Sequence, residues 1–535
     1  MRWLTLGCLV VLGACCKSQP RADAGTGAAA GPDEAWLAGT LPADAATPHR
    51  GGTVTVRLAL EPVGLTRLHD RMAEGTMTRI TVGPLYETFR QVAEKVDEPS
   101  DRLSVTVTVR AGRTFHDGSP ITAADLKAVL DVILDAQKPT STLRGSLDTI
   151  DTVTVVDPRT LKVTFKRPYF LAMHTLLDGV PVMPAAALAG PDFDTLPIHR
   201  APIGSGPFKF EKWEAGVSLS YVRADDRALV DRVVFRFIKD DLAAITAFEK
   251  GELDVMTRVT PATWRALEQQ PWAWRDARRV LSRENAYSWL GFNQRQPRFD
   301  RAVRRALAML FPADLIEKNV DLGLEPRTTC PWFDGSKGCD PTVTPIAFDV
   351  AGAKRLLAED GWKDGDGDGV LEREGQTLSF AFLIPAQSTK LNKLVPLYVD
   401  SLKQAGIAAR IETVDVSAYM SRVRAHDFDA IGLSWLSADD AQDNFQNFHS
   451  SQIETGNNFV GYANPEVDQV LTDIRAERDE SRRHELERRA HRILYDDQVY
   501  LFLGRRPGLD LLRRRVHARP PVFGAWDLAT LWVDP

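Results

Sequence analysis

Residues 105–135 constrain the fold most, because they predict a strand, a tight turn and a capped helix in immediate succession. Apolar and polar residues alternate over 105–109, the period of a half-buried strand. Asp117-Gly118 with Pro120 indicates a turn. Thr122 and Asp125 form a capping box that satisfies free N–H groups at a helix start. The apolar residues that follow at helical spacing are Leu126, Val129, Leu130, Ile133 and Leu134. By itself this unit specifies structure and no chemistry.

The centre of this stretch resembles a family signature. Phe115-His116-Asp117-Gly118, then Pro120 and Thr122-Ala123-Ala124-Asp125, is similar to the motif of the extracytoplasmic solute-binding proteins of the peptide/nickel ABC-transporter family, family 5. Further matches occur in the family's order from about Gly51 nearly to the C-terminus. They are Gly51-Gly52, Leu85-Tyr86-Glu87 in a helix expected over 80–89, Gly204-Ser205-Gly206-Pro207, Gly251-Glu252-Leu253-Asp254 and Asn464-Pro465-Glu466-Val467-Asp468.

The resemblance implies an α/β fold of the periplasmic-binding-protein type: two lobes of type II, in the large cluster with an extra subdomain, joined by a hinge of crossing strands. Alternation of strand and helix through the second half independently favours an α/β sheet. The boundaries expected are a signal peptide over 1–14, a lipid-anchored flexible tether over 15–50, and a first lobe over 51–88 and 201–283. The extra subdomain then covers 89–200, the second lobe 284–498, and the chain returns to the first lobe over 499–535.

Composition limits the function classes. A formal net charge of −6 over 535 residues argues against a general nucleic-acid binder. The sequence contains no Gly-x-Ser-x-Gly, no Walker loop and no Cys–His pair with an orienting group, so we expect neither an enzyme nor a cofactor. An exported hydrolase with an unrecognised site remains the alternative from another class.

The N-terminus predicts export. Arg2 precedes an apolar run over 3–14 that is too short for a mature transmembrane helix. Leu12-Gly13-Ala14-Cys15 resembles a bacterial lipoprotein signal with Cys15 as the lipidated residue; a plain secretory signal is the alternative. Residues 17–50 are rich in Ala, Gly, Pro and Asp and favour a flexible tether. We therefore expect a monomer held by lipid on the periplasmic side of a bacterial membrane.

Two cysteines remain in the body of the chain. Cys330 and Cys339 bracket a short turn-forming loop, and in an exported protein they are expected to form a disulfide. Closing so short a loop contributes roughly 2–3 kcal/mol by loss of unfolded-chain entropy. A metal pair is the rival interpretation, but no further Cys or His lies nearby with suitable spacing.

Ligand-binding residues follow from the resemblance. Residues 435–443 are similar to the segment in peptide-binding relatives whose first Asp pairs with the ligand's ammonium group, which gives that role to Asp439; an Asp in a surface loop is the alternative. A carboxylate suits the role because charge-assisted hydrogen bonds are strong and directional. By analogous placement the other residues expected to face the cleft are Glu74, Gly75, Thr76, Trp435, Asn457 and Asn458.

Two clusters of potential metal ligands are weaker signals. Asp364, Asp366 and Asp368 alternate with glycines like the start of an EF-hand loop, but its twelfth position is Gly375 instead of Glu. Calcium is therefore a weak candidate, and no metal site is expected. His484 and His491 are seven residues apart on an arginine-rich helix, unlike a zinc-protease motif, and are expected to be solvated.

The function that the resemblance implies is ligand capture without chemistry. The protein would bind oligopeptides or dipeptides between its lobes and deliver them to a membrane permease driven by a cytoplasmic ATPase. Related proteins bind nickel chelates, haem, opines or oligosaccharides, and these ligands stay open. A sensory or scaffolding lipoprotein on the same fold is a further alternative.

Overall fold

The computed structural model of the chain describes residues 33–41, 47–69, 80–190, 192–333, 335–436, 442–521 and 526–534. Its strands, numbered in chain order, are β1 (Thr53–Leu58), β2 (Ala93–Asp97), β3 (Ser104–Val109), β4 (Ile150–Asp157), β5 (Thr160–Phe165), β6 (Phe208–Glu214), β7 (Ser218–Arg223), β8 (Arg232–Phe237), β9 (Val255–Met256), β10 (Ala277–Phe292), β11 (Glu372–Arg373), β12 (Gln376–Thr377), β13 (Ser379–Pro385), β14 (Ala408–Val414), β15 (Ala430–Leu436), β16 (Leu501–Arg513), β17 (Val516–His517) and β18 (Trp532–Val533).

The α-helices within the described ranges are α1 (Glu34–Ala38), α2 (Phe89–Val92), α3 (Ala123–Leu134), α4 (Ser141–Ser146), α5 (Ala172–His174), α6 (Ala185–Leu188), α7 (Asp241–Glu249), α8 (Pro261–Ala266), α9 (Pro271–Asp276), α10 (Arg301–Met309), α11 (Ala313–Ile316), α12 (Val350–Glu359), α13 (Thr389–Lys403), α14 (Val416–Arg424), α15 (Phe445–Phe448), α16 (Pro465–Ala476) and α17 (Glu480–Asp496). None of them is both long enough and apolar enough to cross a bilayer.

One large sheet runs through both lobes, in the strand order β14-β13-β15-β10-β16-β9-β1-β8-β7-β6. In the first lobe β1 lies parallel to β8 and β9, and in the second lobe β13 lies parallel to β14 and β15. Helices and loops bury an apolar cluster against each part of the sheet. The expected α/β architecture with two lobes is confirmed.

Strands β10 and β16 connect the lobes. The first half of β10 pairs with the end of β16 from Ala277↔Arg513 to Ser282↔Gly508, and its second half pairs with β15 in the second lobe. The register between β10 and β16 shifts between Arg283 and Tyr287. Irregular pairing of this kind marks a bend in a strand. The crossing strands expected as a hinge are therefore present, and the irregularity lies where the chain passes between lobes.

The strand-turn-helix unit predicted over 105–135 is confirmed as β3 and α3. The Asp125 Oδ2 accepts from the Thr122 backbone N–H at 2.8 Å, which completes the capping box. The Asp125 Oδ1 accepts from the backbone N–H of Ala185 at 2.8 Å, at the start of α6. One carboxylate thus caps its own helix and fixes a second helix of the subdomain.

The helix expected over 80–89 is confirmed only at its start: residues 80–82 are helical, and residues 83–88 are not. Backbone N–H groups of Gly206 and Phe208 donate to the carbonyls of Leu85 (2.9 Å) and Pro84 (3.1 Å), so this segment pairs with another chain segment and α2 starts only at Phe89. A Cβ at Gly204 would lie 1.9 Å from the Leu85 carbonyl oxygen. The Gly-x-Gly of the family motif therefore permits close backbone packing.

Residues 33–41, which lie inside the flexible tether expected over 15–50, are docked on the body of the chain. Residues 34–38 form α1, capped by Asp33, and Trp36 is only 4% exposed in the apolar cluster behind α8 and β10. The Leu281 N–H donates to the Gly39 carbonyl at 2.8 Å. The buried side chains of Trp36 and Leu41 dock a segment whose composition is otherwise that of a linker.

The disulfide between Cys330 and Cys339 is confirmed. The loop it closes packs against α17, where the Asp340 backbone N–H donates to His491 Nδ1 at 2.9 Å. His491 is fully buried, and burial lowers its pKa to about 4. The expectation that His491 is solvated is therefore wrong: its neutral ring joins the end of the disulfide loop to α17. His484 lies half-buried between Glu480 and Glu487.

Candidate functional site

A cavity of about 470 Å³ lies between the two lobes, and both lobes line it. The first lobe contributes residues 258–262, between β9 and α8. Both crossing strands contribute, through Ser288 on β10 and Leu503 and Leu509 on β16. The second lobe contributes residues within 319–325, 385–393, 416–420 and 432–434. This volume is typical of ligand pockets, and since both lobes line the cavity, a change in their separation would open or close it.

Helix starts position two parts of the cavity wall. Thr260 caps α8 by accepting from the Thr263 N–H at 3.2 Å, and Pro261 occupies the first helical position. On the other side Ser388 caps α13 by accepting from the Leu391 N–H at 3.2 Å. Such residues define helix starts locally. Sequence therefore fixes both starts, whereas the fold brings them to face one cavity.

Strand β15 presents part of its edge to the cavity. It pairs with β13 only through Ala430 and Ile431, although it continues to Leu436 and is paired with β10 along its length. Gly432, Leu433 and Ser434 line the cavity. Among the described strands, none therefore pairs with the β13 side of β15 beyond Ile431. An open edge of this kind can accept an extended chain as an added strand.

A lysine and two carboxylates form an ion cluster in the wall from the second lobe. The Lys390 Nζ lies 3.1 Å from Asp321 Oδ1 and also contacts Glu325. Burial raises the pKa of Asp321 to about 6, with the neighbouring Glu325 adding to this effect and Lys390 opposing it. The carboxylates are thus already engaged with a cation inside the cavity wall.

A second charged cluster ties the first-lobe wall to the hinge. Arg258 Nε donates to Glu284 Oε1 at 2.9 Å, and the Arg258 backbone N–H donates to Asp510 Oδ1 at 2.8 Å. The Trp526 indole N–H donates to Asp510 Oδ2 at 2.8 Å. Burial raises the pKa of Asp510 to about 7, and these hydrogen bonds oppose the shift. The cavity and the crossing strands therefore share one polar network.

Trp435, Asn457 and Asn458 are the described residues among those expected to bind ligand, and none of them lines the cavity. Trp435 stacks between Trp289 and Phe459, with ring centroids 5.8 Å away on each side, directly after the cavity-lining part of β15. Asn457 and Asn458 do not line the cavity. Asn458 is fully buried, and its amide binds the backbone of Tyr462 at 2.8 and 3.0 Å, so it stabilises its own loop.

The remaining expected residues, Glu74, Gly75, Thr76, Asp439 and Cys15, lie outside the described residues. Their assignments stay predictions. The described residues on either side of Asp439 have known positions. Strand β15 precedes it, and after it the Gln442 Nε2 donates to Asn285 Oδ1 on β10 at 3.2 Å.

The Asp-Gly-rich turn brings its acidic side chains together. Carboxylate oxygens of Asp364, Asp366, Asp368 and Glu372 lie within 4.8 Å of one another. The same turn is held by its own hydrogen bonds, such as Gly367 N–H to Asp364 Oδ1 at 2.7 Å. Glu372 adds a fourth carboxylate to the three that the sequence pattern indicates. This cluster has the oxygen donors that calcium prefers, and it lies apart from the residues that line the interlobe cavity.

A buried contact joins the segment after β5 to the second lobe. The Tyr169 hydroxyl donates to Asp443 Oδ2 at 2.9 Å, and Arg475 Nε donates to the same oxygen at 2.7 Å. The Arg475 guanidinium lies over the Phe445 ring at 3.8 Å. Burial, with Asp443 adding to it, raises the pKa of Tyr169 well above its usual value, so the phenol stays protonated as a donor. We call Tyr169, Asp443 and Arg475 the interlobe latch.

Replacing Tyr169 with phenylalanine is expected to favour lobe separation. The variant loses a hydrogen bond to a buried carboxylate, worth about 1.5–3 kcal/mol, which changes the ratio of closed to open molecules on the order of 10- to 100-fold. Small-angle X-ray scattering of ligand-free protein should show a larger radius of gyration. Tyr221→Phe is the control, because its hydroxyl donates to the Thr81 carbonyl within the first lobe. Equal scattering from all three proteins would contradict a latch.

Comparisons with known proteins agree on one family. The family described as bacterial extracellular solute-binding proteins, family 5 Middle, matches residues 88–456. The oligopeptide-binding protein AppA of Bacillus subtilis is 28% identical over 487 residues, which cover 86% of this chain and 87% of that protein.

Solved structures show the same fold. AppA of Bacillus subtilis in complex with a nonapeptide superposes with a TM-score of 0.79 at 23% identity, covering 91% of this chain and all of that one. NikZ from Campylobacter jejuni in complex with Ni(L-His) gives a TM-score of 0.78 at 19% identity, covering 90% of this chain and 99% of the other. One fold thus accommodates both a peptide and a metal chelate in these two proteins.

Proposed function

The chain belongs to family 5 of the bacterial extracellular solute-binding proteins, and we propose that it captures oligopeptides or dipeptides in the cavity between its lobes. It then delivers them to the permease and ATPase of an ABC importer. Closure of the lobes around the ligand would precede delivery. The protein performs no chemistry of its own in this proposal.

The open edge of β15 is the observation that carries peptide binding. The Gly432 carbonyl already accepts from the Tyr419 hydroxyl at 2.7 Å, so a peptide in extended form would pair with the strand at Leu433 and Ser434, where β13 no longer pairs. Main-chain hydrogen bonds of this kind supply affinity without reading side chains. The apolar residues Leu322, Leu391 and Leu433 in the cavity wall offer loose contacts for side chains.

Export and anchoring complete the proposal. The Cys330–Cys339 disulfide supports an oxidising compartment such as the periplasm. Lipid on Cys15 would hold the protein at the membrane. With α1 docked on the body, the lipid on Cys15 would lie at most about 60 Å from Asp33, the reach of a fully extended chain of that length.

Native mass spectrometry of the freshly purified protein tests the proposed function. The preparation should begin before Asp33, so that α1 is retained. We expect a ladder of added masses that fragment into amino acids, since a closed cavity retains its ligand through purification. The distribution of masses would also give the preferred peptide length.

Two outcomes would contradict peptide capture. A single bound mass without amino-acid fragments would indicate a sugar, opine or metal chelate as the ligand. Bare protein that is not stabilised against thermal unfolding by a peptide library would favour a scaffolding or sensory role. A lysozyme-sized soluble protein carried through the same steps controls for peptides that adhere nonspecifically.

A further inference from the structure

The charged side chains that line the cavity differ in whether they form ion pairs. The cations among the lining residues are Arg258, Lys390, Lys393 and Arg506, and the carboxylates are Asp321 and Glu325. Both carboxylates contact Lys390, and Arg258 is paired with Glu284 behind the cavity wall. Within the described part of the chain the cavity therefore carries more positive than negative charge.

Arg506 differs from the other cations. It lies on β16 at the point where this strand crosses between the lobes, and its side chain is half-buried. No hydrogen bond or ion pair joins its side chain to a described residue, whereas the neighbouring Arg505 donates its Nη2 to the Cys330 carbonyl at 2.9 Å. Lys393 also lacks an ion pair within the described ranges, but it is exposed to solvent at the rim.

The strand around Arg506 is held in place. The Arg505 backbone N–H donates to the Pro326 carbonyl at 2.9 Å, and Pro507 follows directly. A guanidinium on such a support is positioned before a ligand arrives. Because it is partly removed from water and faces a cavity with apolar walls, it gains more from an incoming anion than an exposed lysine does.

We infer that Arg506 binds a carboxylate of the ligand, so that the cavity selects solutes with a free carboxylate. The planar guanidinium matches a carboxylate through two parallel hydrogen bonds. In a peptide this group is the C-terminus or an acidic side chain. The inference rests on the proposed function in one respect, which is that the interlobe cavity is the ligand site.

A peptide library of two to nine residues, made as free acids and in parallel as C-terminal amides, tests this inference by native mass spectrometry. We expect the native protein to retain acids at least tenfold over amides and Arg506→Gln to lose that preference. Arg506→Lys should keep part of that preference, because the positive charge remains but the two parallel N–H donors of the guanidinium are lost. Arg410→Gln is the matched control, because it makes the same change at an exposed arginine of β14 that does not line the cavity, and it should behave like the native protein.

The outcomes separate the inference from the proposed function. Amides with Asp or Glu side chains that bind the native protein but not Arg506→Gln support the inference and assign the carboxylate to a side chain. Equal retention of acids and amides by the native protein overturns it, as does an unchanged preference in a folded Arg506→Gln. If no peptide binds the native protein, the proposed function is refuted, whatever the result for Arg506. The inference then holds only if an anionic solute copurifies with the native protein and is lost from Arg506→Gln; any other result overturns it.

Discussion

Replacing Trp36 with alanine is expected to lower the free energy of unfolding by about 3–5 kcal/mol, the usual cost of removing a buried tryptophan. The indole is 4% exposed, and its N–H donates to the Ala277 carbonyl at 3.2 Å. Its ring lies 4.5 Å from the Arg279 guanidinium, which lies 3.9 Å from the Trp264 ring on the other side. Without Trp36 this buried cation loses one of its two aromatic neighbours. Guanidinium chloride unfolding followed by circular dichroism measures the effect.

The same helix provides the control for Trp36. Leu37 is 45% exposed, so Leu37→Ala should change stability by less than about 0.5 kcal/mol. A truncated protein that begins at Gly51 should lose at least as much stability as Trp36→Ala, since it lacks α1 altogether. If Trp36→Ala unfolds within about 1 kcal/mol of the native protein, the docked helix contributes little and the linker interpretation returns.

Replacing Asp439 with alanine is expected to weaken peptide binding by about 2–5 kcal/mol, the cost of leaving a desolvated ammonium unpaired. This corresponds to roughly 30-fold to several thousand-fold in the dissociation constant. The role of Asp439 comes from its similarity to the peptide-binding relatives, and the strand before it lines the cavity. Isothermal titration calorimetry with a peptide identified by mass spectrometry measures the change.

A control variant and a control ligand test whether the effect is specific to Asp439 and to the ammonium group of the peptide. Asp440→Ala makes the same change one residue along the chain and should bind as the native protein does. An N-acetylated peptide has no ammonium, so it should bind both proteins weakly and equally. Unchanged affinity in Asp439→Ala would remove the assignment, and a loss confined to Asp440→Ala would transfer it to the neighbouring residue.

Sequence patterns predicted structure correctly where interactions between neighbouring residues determine it. The alternation in β3 and the capping box of α3 involve residues at most a few positions apart, and both occur as predicted. The helix expected over 80–89 does not continue past residue 82, because the carbonyls of Pro84 and Leu85 accept from the distant Phe208 and Gly206. Long-range pairing outweighs helix propensity at such a position.

The candidate site was predictable only in outline. Family resemblance placed it between the lobes and pointed to the segment after β15. The ion cluster of Lys390 with Asp321 and Glu325, and the exposed edge of β15, carry no sequence signal, because their members come from separate segments. Asn458 was expected at the cleft by analogous placement, which stays a prediction; in the structure its amide stabilises its own loop.

Sequence alone determined the strand-turn-helix unit of β3 and α3, the disulfide and the family of this protein, because periodicity, capping and motif order act over short distances along the chain. The tertiary structure decided which polar groups meet. Arg258, Glu284 and Asp510 join only because β10 and β16 cross. Trp36 and His491 are buried only because distant surfaces fit them. Contacts between remote segments depend on the whole packed shape, and no local pattern encodes that.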